Sequence, residues 1–165
     1  MGPLAFFRLR RRLAMAARHP VPPRLWEETI TGLPVLARLS ANELSRLACL
    51  AAVFLEEKDF EFPRTGTHSR DDEGQDALRL RVAALASLPL LGFPEGLNAL
   101  DRYRRWSTIV IADDAYAVKR VDEDGSGVVS EWDDELAGEL GSLGTVVLSA
   151  PDIAEAGLGS GYNVV

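Results

Sequence analysis

The sequence predicts an α+β fold, with N-terminal helices followed by a smaller β-rich part. Apolar residues recur at helical spacing from Leu44 to Leu55 and again from Leu78 to Leu88. β-Branched runs are confined to the second half, at Thr108 to Ala112 (TIVIA) and Thr145 to Ser149 (TVVLS). No internal repeat is visible, and no apolar run reaches the ~18 residues of a membrane-crossing helix.

Charge divides the chain. Residues 1–26 hold six arginines (Arg8, Arg10, Arg11, Arg12, Arg18, Arg24) and no acid, while the other 139 residues hold 12 bases and 25 acids. The net charge of −7 is therefore +6 at the start and −13 in the remainder. This reads as a basic Arg/Pro-rich arm over residues 1–25 ahead of an acidic domain over 26–165. An acidic body repels phosphates, which argues against direct nucleic-acid binding. In the arm the apolar stretch Pro3 to Phe7 precedes the arginines, the reverse of a secretory signal. Its expected state is a mobile, solvated extension stiffened at Pro20, Pro22 and Pro23. An amphipathic helix on anionic lipid, with Phe6, Phe7, Leu9 and Leu13 at the wet–dry boundary, is the lesser reading, and membrane contact is not expected.

From Trp26 the pattern is globular. Trp26 to Thr31 reads as a short helix stopped near Gly32 to Pro34. Ser40-Ala41-Asn42-Glu43 is a capping box, in which serine and glutamate satisfy reciprocal backbone donors. Behind it Leu44, Leu47, Leu50, Ala51, Phe54 and Leu55 line one face of a helix ending near Glu57, with Lys58 closing it. Phe60 and Phe62 alternate with Asp59 and Glu61 as a short strand. Arg64 to Gln75 is expected to be a polar loop, and a second helix to run from Asp76 to Leu88. Its small residues Ala83, Ala84, Ala86 and Ser87 suit close packing on both sides, and Pro89 and Gly92 end it. Beyond the strand at Thr108, segments 116–121 and 127–130 read as paired strands around the turn Asp122 to Ser126. A short acidic helix is expected at Trp132 to Glu139, then the strand at Thr145, then a connecting loop at Gly157 to Gly161.

The chemistry-bearing residues are few. One cysteine, Cys49, allows no intramolecular disulfide and fits a reducing compartment; amid apolar neighbours it reads as a buried small hydrophobe. His19 and His68 have nothing at metal-ligand spacing around them. Asp122, Asp124, Ser126, Gly127, Val129 and Asp133 follow part of a calcium-loop pattern. The aspartate at its last position and the strand before it disfavour calcium in Asp122–Asp133, leaving a solvated acidic hairpin turn. Gly157 to Gly161 lacks the P-loop lysine, and no Gly-x-Ser-x-Gly elbow occurs. The residues alone hold no catalytic machinery.

Eight segments in order nevertheless resemble one family. They are Pro22-Pro23 with Trp26, Leu33 to Leu39 (LPVLARL), Phe54 to Phe60 (FLEEKDF), Val82 to Leu91 (VAALASLPLL), Val121 to Gly125 (VDEDG), Leu136 to Glu139 (LAGE), Val146 to Ser149 (VVLS) and Gly161 to Val165 (GYNVV). Together they are similar to the Mlc titration factor A (MtfA) family of bacterial zinc-dependent peptidases, from about residue 6 onward. Leu140, Thr145 and Ala150 depart from it, standing where the family usually has an aromatic, a proline and a tryptophan.

The resemblance implies a cytoplasmic zinc metallopeptidase whose HExxH helix follows directly after the Gly161 to Val165 segment. Two histidines one turn apart would bind zinc, and the intervening glutamate would activate its water. Both lie beyond Val165. The chain is therefore expected to be the N-terminal portion of a zincin-like domain, scaffolding the zinc helix and substrate cleft and inactive alone. It offers no catalytic residue and no metal ligand. Thr145, Val146, Val147, Leu148 and Ser149 are the candidate edge strand for pairing with a peptide substrate, with a plain core strand as the alternative. Without the following helix, Val146, Leu148, Val164 and Val165 are expected to face unfilled space. A second reading is a non-catalytic module binding a transcriptional repressor through the helical surface Ser40 to Glu57.

Overall fold

Four helices form the first layer: α1 (Pro3–Arg18), α2 (Pro23–Thr31), α3 (Ala41–Glu57) and α4 (Asp72–Ser87). The computed structural model describes residues 2–63, 71–113, 116–123, 129–136, 138–140 and 144–158; the strands between 116 and 140 are described by their backbone alone. Helix α2 begins three residues before the predicted Trp26 because Pro23, with no N–H to leave unpaired, suits a first helical turn. The capping box forms as predicted: Ser40 Oγ accepts from the Glu43 N–H at 3.3 Å, and the Glu43 carboxylate accepts from the Ser40 N–H at 2.8 Å. The Ser40 hydroxyl also donates to that carboxylate at 2.7 Å, and this bond with the one from the Ser40 N–H holds the Glu43 carboxyl below its usual pKa.

Helix α3 buries Leu47, Leu50, Ala51, Val53 and Phe54, and Lys58 closes it in extended backbone. Cys49 is exposed, not buried as expected. It lies about 200° round the helix from Leu47, on the side away from the core. Helix α4 starts at Asp72, four residues ahead of expectation. The Asp71 carboxylate caps it by accepting from the Gly74 N–H at 2.9 Å, and Asp72 and Glu73 fill the positive first turn. Of the predicted polar loop, residues 64–70 lie outside the described residues. Ala83, Ala84, Ala86 and Ser87 are all buried, so α4 packs on both sides as their size suggested.

The second layer is a four-stranded sheet in the order β1 (Asp59–Glu61), β2 (Thr108–Ala112), β6 (Thr145–Ser149), β5 (Gly138–Leu140). β1, β2 and β6 run parallel; β5 is antiparallel to β6. A separate antiparallel hairpin joins β3 (Tyr116–Glu123) to β4 (Val129–Leu136). The α+β class therefore stands. The helix expected at Trp132 to Glu139 does not form: residues 132–136 belong to β4 and 138–139 to β5. Their helix-compatible composition yields to five cross-strand pairs with β3 and two with β6. The turn residues 124–128 and the Gly159 to Val165 segment lie outside the described residues.

The arm is the largest departure from expectation. α1 is a helix seated on α3 and on the 3₁₀ segment Gly96–Tyr103, not a mobile extension. Leu9, Met15 and Ala16 pack against the main apolar cluster, as do Val21 and Leu25 beyond it. The boundary expected at residue 25 falls inside α2. Arg12, only 3% exposed, anchors α1: its Nε and Nη2 donate to the two Glu57 carboxylate oxygens at 2.8 Å each. Its Nη1 reaches the Leu97 carbonyl at 3.0 Å and Asp101 at 3.1 Å. Burial alone would push the Arg12 pKa down, but the two carboxylates outweigh it and hold the pKa above the usual value.

Candidate functional site

The candidate segment Thr145–Ser149 lies at the centre of the sheet. Gly144 introduces it with φ +79°, and its carbonyl accepts from the Ser107 N–H at 3.0 Å, locking the starts of β2 and β6 together. β6 then pairs along its length with β2, and over Val146 to Leu148 with β5. Both its hydrogen-bonding sides are occupied across that stretch. The expectation that Thr145–Ser149 is itself an edge strand is therefore revised: the edge on this side is β5. No local pattern placed β5 there, because Gly138 and Glu139 were expected within a helix.

The two faces of the sheet differ. Ile109, Ile111 and Leu148 are buried toward the helices, and Val146 and Phe60 pack against the same cluster. Phe54 meets Phe60, Tyr103 and Trp106 edge-on at its centre. Lys58 lies 4.2 Å from the Trp106 ring centroid and donates to the carbonyls of Tyr103 and Trp106. Val146 and Leu148 face this core and, with Phe54, Val82 and Ile109, line an apolar cavity of about 100 Å³ within it, in line with the expected unfilled space. Alternation turns Val110 and Val147, paired neighbours in the register, to the opposite face. Both are half-buried and belong to neither apolar cluster.

After β6 the chain enters α5 (Ala150–Glu155), capped by Ser149, whose hydroxyl accepts from the Asp152 N–H at 3.4 Å. Arg81 of α4 clamps the far end. Its guanidinium donates to the carbonyls of Ile153 (2.7 Å), Ala154 (2.8 Å), Ala156 (2.8 Å) and Gly32 (3.2 Å). Burial lowers its pKa. Arg81 is one of two arginines in α4, and nothing in the sequence around it hints at this role.

Ionisable groups converge in one cleft of about 550 Å³, between Pro20–Pro22, the end of α3 and the start of α4. His19 Nδ1 stands 3.6 Å from Glu56 there, and Arg79 pairs with Asp76 at 3.2 Å. Among the described residues no three His, Cys, Asp or Glu side chains converge to hold a metal ion. His68 lies outside them. These residues do not fit a zinc centre. In the calcium-like pattern, the register sets Asp122 opposite Ser130 and Asp133 opposite Lys119, three steps apart and so roughly 10 Å along the ladder, while the positions between, 124–128, lie outside the described residues.

The sequence profile of the glucose-regulated metallo-peptidase M90 family matches residues 7–165. The chain belongs to that family. It is 33% identical over 140 residues to the Mlc titration factor A of Enterobacter sp. (strain 638), covering 85% of this chain and 48% of the relative. It is similar to the proteins of the same name from Klebsiella pneumoniae (strain 342; 31% over 140 residues) and Pectobacterium atrosepticum (28% over 144 residues), with the same coverage. This M90 chain thus spans about half the length of the curated relatives it matches. No single described helix is long and apolar enough to cross a membrane. The helical surface expected to bind a repressor exposes Asn42, Ser45, Arg46, Cys49 and Glu56 among others, and Arg46 reaches back to the Leu91 carbonyl at 3.1 Å.

Proposed function

We propose that this chain is the front half of a cytoplasmic zinc peptidase of the M90 family and is inactive without the other half. It scaffolds the zinc helix and one wall of the substrate cleft. The observation that carries the reading is the face of the sheet bearing Val110 and Val147. Parallel strands are almost always covered on both faces, and here Val110 and Val147, turned away from the helical layer, pack against neither of its apolar clusters. The other half of the domain would cover that face. Zinc would be held by that half, since no described residues here can hold it, and none of the 165 residues forms an HExxH motif.

In this reading an extended peptide substrate pairs with the sheet edge at β5 by strand addition, and β6 supports β5 from within. Proline substitution tests it in an active family member at the positions matching Glu139 and Leu140, taken in turn. Successive N–H groups alternate sides along a strand, so one of these prolines removes an outward N–H and spares the ladder to β6. That variant should remain folded and raise KM several-fold. Unchanged KM in both folded variants would refute substrate pairing there. Proline at the position of Val147 would instead break the sheet interior.

The name of the relatives supports a second reading, a module that binds an Mlc-like transcriptional repressor without catalysis. Retention of such a repressor on the immobilised chain, lost on charge reversal at Arg46, would favour this reading over the scaffold alone.

A further inference from the structure

Docking of α1 on Arg12 leaves its other side facing outward, and that side is both apolar and cationic. Leu4 (75% exposed), Phe7 (67%), Leu13 (54%) and Phe6 (50%) are four of the six exposed large hydrophobic residues among the described residues. At 100° per residue, Phe7 and Ala14 form an outward ridge, with Arg10 on one flank and Arg11 and Arg18 on the other. The inward arginines are engaged, Arg12 with Glu57 and both Arg8 and Arg12 with Asp101. The outward ones make no ion pair with any described residue, and Arg10 stacks 6.0 Å from the Phe6 ring centroid. No acid occurs in residues 1–26.

We propose that the outward face of α1 is a docking surface for anionic phospholipid bilayers. Phe7 and its apolar neighbours would enter the boundary between headgroups and acyl chains, while Arg10, Arg11 and Arg18 extend to lipid phosphates and carboxylates. Charge complementarity selects this occupant. A nucleic acid would answer the arginines but not the exposed phenylalanine and leucine side chains. A second copy meeting this face symmetrically would set arginine against arginine. The acidic remainder, at −13, is repelled by the same bilayer, so contact is confined to α1 and leaves the sheet on the body away from the lipid.

Flotation of the chain with phosphatidylcholine vesicles containing about 30% phosphatidylserine tests this. The bound fraction should exceed that on pure phosphatidylcholine at least tenfold, and should fall as salt rises from about 0.05 to 0.5 M. Phe7→Ser and the double variant Arg10→Glu/Arg11→Glu should each lower it at least fivefold. Circular dichroism and thermal unfolding should not change, since these side chains face solvent. Arg38→Glu alters charge at an exposed site off this helix and should leave binding unchanged. Equal flotation with neutral and anionic vesicles would overturn the proposal, as would loss with Arg38→Glu equal to that of the double variant. So would absence of flotation by the folded chain, with α1-dependent self-association or nucleic-acid retention then marking another occupant of this face.

Discussion

Replacing Arg12 with methionine should destabilise the chain by about 2–4 kcal/mol and release α1 from the body. The buried guanidinium is the shared partner of Glu57, Asp101 and the Leu97 carbonyl. Methionine keeps most of the packing but leaves those acceptors facing an apolar side chain. Glu57 and Asp101 are each about a quarter exposed and regain some water, which places the cost below that of a fully buried pair. Arg12→Lys should fall between, because an ammonium cannot bond both Glu57 oxygens in the fork geometry that arginine provides. Urea unfolding gives the free energy, and limited trypsin digestion at Arg10 and Arg11 reports release of the helix. A loss under 0.5 kcal/mol with unchanged digestion would mean that α1 is not anchored there.

Arg81→Met should cost about 2–3 kcal/mol, because four carbonyls lose one charged donor group together. Three of them, from Ile153, Ala154 and Ala156, belong to the end of α5 and the residue after it, and the fourth is the Gly32 carbonyl at the end of α2. The loss should therefore be local before it is global. Amide exchange should quicken in residues 150–158 and around Gly32, while α3 and β2 keep their protection. Uniform acceleration over the whole chain would contradict a clamp confined to these two helix ends.

What the sequence revealed follows the range of the interactions. Ser40 and Glu43 are three residues apart, and their capping box was legible from spacing alone. The apolar period of α3 and the β-branched density of β2 and β6 likewise depend on near neighbours. The position of α1 does not. It rests on one arginine meeting a carboxylate 45 residues on and another at Asp101, and composition alone suggested a solvated arm. The Trp132 to Glu139 segment has residues that suit a helix in isolation, yet its partner is β3. A separate pairing, of β5 with β6, puts the edge of the sheet at β5 and so displaced the candidate substrate strand. Cys49 was misplaced by neighbours in sequence that point to the other side of its helix. The family resemblance succeeded where residue chemistry was silent, because eight ordered segments carry information that no single motif here does.

The central claim is that these residues supply the supporting half of an M90 peptidase domain. A hybrid in which residues 7–165 replace the matching half of the Enterobacter relative tests it most directly, with that relative as the positive control. Peptide hydrolysis is measured with and without a zinc chelator, beside the 165-residue chain alone. The account predicts chelator-sensitive hydrolysis by the hybrid and none by the chain. A folded hybrid with no such hydrolysis, or chelator-sensitive turnover by the chain itself, would contradict it.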